Sequence, residues 1–125
     1  MNGTESQEMY LKAIYTIGKR KGSVRKIDIA EELGLSKPSV TNAVDRLIAA
    51  GEVRTDESNN VFLTDLGQKH AERILKRYNV FLKMLTIMEI PEDKAKESAC
   101  KLEHAIDDEV FDYIVDWMEK KHAGK

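Results

Sequence analysis

Apolar residues recur at helical spacing along most of the chain, and one short stretch breaks that rhythm with alternation. Tyr10, Ala13, Ile14 and Ile17 define one face of a first helix that should stop near Gly22. Thr4 and Ser6 are its expected caps, with Gln7 completing a capping box. A short helix over about residues 25–33, a turn at Gly34, Ser36 as N-cap and Pro38 in the first turn of a helix reaching Gly51 together predict a helix-turn-helix. Val53–Thr55 and Val61–Leu63 then read as strands, joined by a turn over 57–60 in which Asn59 or Asn60 takes positive φ. A hairpin directly behind a capped helix is a wing. Thr64 caps a long helix with Leu66, Ile74, Leu75, Val80, Phe81, Met84 and Leu85 as apolar positions, ending about Met88. Pro91 opens another helix to about Ile106. Asp107 or Asp108 caps a last one carrying Val110, Phe111, Ile114, Val115 and Met118. The tail over 120–125 is expected to fray. The fold class is mainly α: a winged helix-turn-helix over 1–64, followed by a helical domain over 65–125.

A chain of 125 residues buries a modest core, and dimerisation is expected to complete it. The formal net charge of −2 hides a division between the halves. Residues 12–54 hold nine Lys/Arg against five Asp/Glu (net +4), whereas 89–119 hold three Lys against eleven Asp/Glu (net −8). Solvated helix faces account for such charges as well as a polyanion partner does. The wing placed behind the helix-turn-helix favours nucleic acid for the basic half. The single cysteine excludes a disulfide framework. No signal-peptide run or membrane-length apolar stretch occurs, so a soluble, cytoplasmic protein with no membrane partner is expected.

That cysteine lies in "ACKLEHAIDDEV". At 100° per residue Cys100, Glu103 and His104 share one face, centred roughly 120° from the stripe of Ala95, Ala99, Leu102 and Ile106. Alone, Cys100 is better read as a small buried hydrophobe and His104 as a satisfied side chain. Together, at i, i+3 and i+4, thiolate, carboxylate and imidazole converge near one point and suit a transition metal. A Cys–His nucleophile would also need an oxyanion hole and a cleft. No Gly-rich loop lies near Cys100 to form them, so no enzyme is expected.

"EMYLKAIY" in the first helix, "IAEELGLSKPSVTNAVDRL", "LTDLG" behind the wing and "ACKLEHAIDDEV" resemble the diphtheria toxin repressor family of metal-dependent transcriptional regulators. The resemblance runs from about Ser6 to Trp117 and is nearest to the family's iron-dependent branch. It implies a DNA-binding domain, then a metal-binding and dimerisation domain, and a primary metal site of Met9, Cys100, Glu103 and His104. It also places Ser36, Pro38 and Asn42 opposite base edges in the major groove, with Asn42 where that branch commonly has glutamine. Ser39 and Thr41 are implied phosphate contacts, with N-terminal helix capping as their plainer reading. Lys37 and Arg54 are expected to meet the phosphate backbone.

The departures from the family pattern are informative. Longer members carry a third domain and a second metal site whose helix ligands would fall at Tyr78 and Leu82, and neither residue ligates in that manner. The manganese branch has carboxylates at the positions of Met9, Lys12 and Cys100 and histidine at Tyr78. One iron-type site is therefore expected, in a homodimeric repressor of double-stranded operator DNA with a divalent metal as corepressor. Thiolate and thioether suit Fe(II), Co(II), Ni(II) or Zn(II) better than Mn(II), and the choice of Fe(II) follows the family. The alternative is a winged-helix regulator of the multiple-antibiotic-resistance type that senses an organic ligand, with Cys100 and His104 structural.

Overall fold

The computed structural model describes residues 3–121, with side chains over 6–120, so the cap expected on Thr4 and the fraying expected over 122–125 lie outside what is described. Along the chain come α1 (Gly3–Lys21), α2 (Lys26–Leu33), α3 (Lys37–Ala49), β1 (Val53–Thr55), β2 (Val61–Leu63), α4 (Asp65–Ile87), α5 (Glu92–Ala105) and α6 (Asp108–Lys121). The chain forms two compact units, Met1–Glu72 and Arg73–Lys125, which divide within α4. Among the described residues no helix is long and apolar enough to cross a membrane.

In the first unit, Leu11, Ile14 and Ile17 of α1, Ile29 of α2, Val40, Val44 and Leu47 of α3, and Val53 and Val61 of the hairpin are buried. The short α2 starts where the Arg25 N–H donates to Asp28 Oδ2 at 2.9 Å, and Lys21 Nζ adds a 2.7 Å bond to Oδ1 of the same carboxylate. It ends at Gly34, whose φ of +66° is the left-handed turn that sends the chain sharply into α3. The strands pair antiparallel, Val53 opposite Leu63, Arg54 opposite Phe62 and Thr55 opposite Val61. At the turn Asp56 accepts from the backbone N–H groups of Ser58 and Asn60, both at 2.9 Å, and Asn59 sits at φ +64°.

The end of α3, the wing and the start of α4 meet at one junction. Thr64 Oγ1 donates to the Gly51 carbonyl at 2.7 Å and accepts the Gly67 N–H at 3.1 Å, while the Thr64 N–H donates to the Glu52 carbonyl at 3.0 Å. A Cβ on Gly67 would lie 2.0 Å from the Glu52 carbonyl oxygen, so only glycine permits this approach. His70, one turn on, places Nδ1 2.6 Å from Glu52 Oε2 and Nε2 2.8 Å from Glu8 Oε2, tying α1 to the same junction.

The second unit packs Phe81 and Leu85 of α4 against Ala95 and Ala99 of α5 and Phe111 of α6. The Phe81 and Phe111 rings lie 5.6 Å apart at a 55° tilt. Two expected core positions point outward instead: Leu66 and Val110 are exposed. The inner stripe of α6 is Phe111, Ile114, Val115 and Met118, while Val110, Tyr113 and Trp117, at i, i+3 and i+7, form a second, outward apolar stripe. The capped starts agree with expectation, with Ser36 Oγ accepting the Ser39 N–H at 3.3 Å and Asp107 Oδ1 the Val110 N–H at 2.9 Å.

Two outcomes follow from this packing. Gly67→Ala should cost about 1–3 kcal/mol, the usual penalty for overpacking, in urea unfolding followed by circular dichroism; an unchanged midpoint would show that the junction yields freely. The Asn60 backbone and side-chain donors, with the Ser58 N–H, hold the Asp56 carboxyl below its ordinary value. A depressed carboxyl contributes stability above the unfolded pKa of about 3.9 and loses it as pH falls through the lowered value. Protection of the Asn60 amide against hydrogen exchange, corrected for intrinsic rates, should therefore be level near neutrality and drop only in acid below that range. A level profile throughout would contradict it.

Candidate metal centre and nucleic-acid interface

Within the second unit, α5 brings Cys100, Glu103 and His104 together. One ligand atom from each lies within 4.8 Å of the others, the one such group among the described residues. His104 Nε2 is 3.6 Å from Glu103 Oε1. Cys100 is exposed, so the thiol can be reached by an ion from solvent. The Glu103 side chain has no exposed surface and that of His104 only 7%. Burial of Glu103 corrects the expectation that all three lie off the core stripe. Ala95, Ala99 and Glu103 are the buried positions of α5, at i, i+4 and i+8. The two alanines lie in one buried cluster with Phe81, Leu85 and Phe111.

The donor set fits a divalent transition metal. Bonds of about 2.0–2.3 Å to S, N and O place donors roughly 3–4 Å apart, so atoms already within 4.8 Å close on an ion by small side-chain rotations. A carboxylate withdrawn from water is costly unless offset, and a cation beside it supplies the offset. Met9 is half-buried on α1 in the first unit. Tyr78 and Leu82 pack against the Phe81–Phe111 cluster, so these positions serve the core.

The residues expected to meet DNA lie in the first unit. Ser36, Lys37, Pro38, Ser39 and Asn42 are exposed at the start of α3, with Thr41 half-buried. Ser36 Oγ also donates to Ser39 Oγ at 3.0 Å, so both hydroxyls take part in the cap. Arg54 is exposed on β1, its guanidinium stacked 4.5 Å above the Phe62 ring. Sequence reasoning missed Arg25 and Lys26. They line one shallow cavity of about 410 Å³ with Ile27, Lys37, Thr41 and Asn59, adding two cations beside the α3 N-terminus. Their signal was the "RK" pair at the start of α2, hidden among the other basic residues of this half.

Comparison with known proteins agrees with this layout. Residues 3–60 match the family model for the iron dependent repressor N-terminal DNA binding domain, and residues 64–122 that for its metal binding and dimerisation domain. The HTH-type transcriptional regulator MJ0568 of Methanocaldococcus jannaschii is 30% identical over 119 residues, covering 94% of this chain and 95% of that protein. The transcriptional regulator MntR of Escherichia coli is 28% identical over 93% of this chain and 74% of its own length. Among solved structures, IdeR of T. acidophilum superposes with a TM-score of 0.73 at 26% identity, covering 87% of this chain and 52% of that one. The manganese regulator SloR superposes at 0.79 and 25% identity, covering 90% and 53%. The chain thus spans about half the length of these two structural relatives. With both family models matched in order and a full-length relative at 30% identity, the chain belongs to the iron-dependent repressor family of metal-dependent transcriptional regulators.

Proposed function

We propose that this chain is a cytoplasmic, homodimeric repressor that binds pseudo-palindromic operator DNA when Fe(II) is bound as corepressor. The observation that carries this reading is the convergence of a reachable thiol, a fully buried carboxylate and an imidazole within 4.8 Å on one helix of the second unit. Cys100, Glu103 and His104 hold the ion, with Met9 as the thioether donor implied by "EMYL". Bound there, the ion supplies a fixed positive charge shared by soft and hard donors. Cys100 must give up its proton and His104 must be neutral to ligate, so affinity falls in acid. The thiolate favours Fe(II), Co(II), Ni(II) or Zn(II) over Mn(II), and cellular availability selects Fe(II). Nothing in this reading calls for a catalytic step.

Residues 1–64 serve as the DNA-binding lobe. Ser36, Pro38 and Asn42 face bases; Lys37, Ser39, Thr41 and Arg54 face phosphates, joined by Arg25 and Lys26. Residues 65–125 bind the metal and dimerise, and the outward stripe of Val110, Tyr113 and Trp117 is the apolar face offered to the second copy. Driving a regulator from mostly inactive to mostly active takes about 5.5 kcal/mol of differential affinity between its two states.

Anaerobic titration should give one Fe(II) per protomer, with Mn(II) bound more weakly. Cys100→Ala and Glu103→Gln should each abolish metal-stimulated operator binding; Gln is chosen because position 103 is buried. Two ions per protomer, tighter Mn(II) binding, or metal-stimulated binding surviving in both variants would overturn the site. On the DNA side, Asn42→Ala should alter preference at one base position per half-site by about 1–3 kcal/mol. Lys37→Ala should weaken binding evenly across sequences and reduce the salt slope by about 1. An unchanged selected motif for Asn42→Ala would remove it from base readout.

A further inference from the structure

Helix α5 ends without a glycine or left-handed cap: its C-cap, Ile106, is extended at φ −94° and ψ 134°. The last carbonyls of such a helix need donors from elsewhere. Arg77, on α4, provides them. Its Nη1 donates to the Glu103 carbonyl at 3.0 Å and its Nη2 to the Ile106 carbonyl. The guanidinium lies 5.0 Å from the centroid of the Phe111 ring and 3.7 Å from Asp108 Oδ1, both on α6, and the residue is only 9% exposed. A planar, permanently charged fork fixed by contacts on both α5 and α6 has little freedom to swing away. Its charge also complements the negative end of the helix dipole.

We infer that Arg77 is a positioning residue for the metal centre, fixing the last turn of α5 so that Glu103 and His104 are held at ligating distance from Cys100. Two of the three donors on α5 sit in this last turn, where a helix without a cap frays. Arg77 holds the carbonyl of one donor residue directly and reaches the carbonyl two residues beyond the other. Ligands ordered before the ion arrives lose less freedom on binding it, and partners outside the ligand set contribute to affinity through this ordering. This inference rests on the metal-site reading above.

Co(II) is the probe, titrated anaerobically into the full chain and followed by the thiolate-to-Co(II) charge-transfer band. Arg77→Met should weaken binding by about 10- to 100-fold, the range found when a residue supporting a metal ligand is lost. Arg77→Lys, which keeps the charge but loses the fork, should fall between that variant and the native chain. Met118→Ala, a cut at a buried position near the far end of α6 and outside the Phe81–Phe111 cluster, should lower the melting temperature while retaining the native dissociation constant. A native constant in Arg77→Met, or a loss in Met118→Ala matching that of Arg77→Met at equal loss of melting temperature, would overturn the positioning role alone. If Arg77→Met does not fold, Arg77→Lys decides, and an unchanged constant there overturns the inference. Absence of a thiolate-to-Co(II) charge-transfer band on titrating the native chain, whose one thiol is Cys100, would instead overturn the metal site, and the role of Arg77 with it.

Discussion

The first unit depends on the contact between Gly67 and the Glu52 carbonyl. A side chain at 67 would drive Cβ to 2.0 Å from that oxygen, so the first turn of α4 meets the base of the wing at backbone distance. Around this contact Thr64 works in both directions, donating to the Gly51 carbonyl and accepting from Gly67. The place where α3 ends, β1 begins and α4 starts is therefore held by backbone and short side chains, which have few rotamers to lose. The exposed start of α3 depends on this anchoring at its other end, because its buried residues, Val40, Ala43, Val44 and Leu47, orient the whole helix.

The second unit solves a different problem, that of keeping polar groups in an apolar setting. Phe81, Leu85, Ala95, Ala99 and Phe111 form its core, and Glu103 and Arg77 are buried beside it. Arg77 is directed to carbonyls at the α5 terminus and to the face of Phe111. Such an arrangement contributes less to stability than apolar residues of similar volume would, since desolvating charged groups offsets most of their attraction. In the proposed metal-site reading, this burial holds the Glu103 carboxylate ready for a cation. Candidate chemistry and packing thus share one helix: Ala95, Ala99 and Glu103 are the buried positions of α5, and Glu103 is also one of the three candidate ligands.

The local structure was legible because short-range physics decides it. Both strands, the Ser36 and Asp107 caps and the positive φ at Asn59 or its neighbour follow from residue types whose preferences act within four residues. The same locality exposed Cys100, Glu103 and His104 as a group, because i, i+3 and i+4 lie on one face of any helix. Membership of the family was legible in the pairing of "EMYL" with C-x-x-E-H, which the matched family models bear out.

How far burial spreads around each helix was not legible. Helical periodicity places Glu103 between the apolar stripe and the exposed Cys100, whereas in the folded chain it is buried along with Ala95 and Ala99. Leu66 and Val110 failed in the opposite sense, since an apolar residue at core spacing is buried only where another element covers it. Arg77 and the Arg25–Lys26 pair were passed over for the same reason. Their partners are tens of residues away in sequence for Arg77, and for the pair the meaning lies in sharing a cavity with Lys37. By itself the sequence determined the helices, the wing, the caps and the three candidate ligands on α5, because those depend on near neighbours. Tertiary structure alone decided which polar groups are withdrawn from water and what holds them, because that depends on which faces of distant elements come into contact.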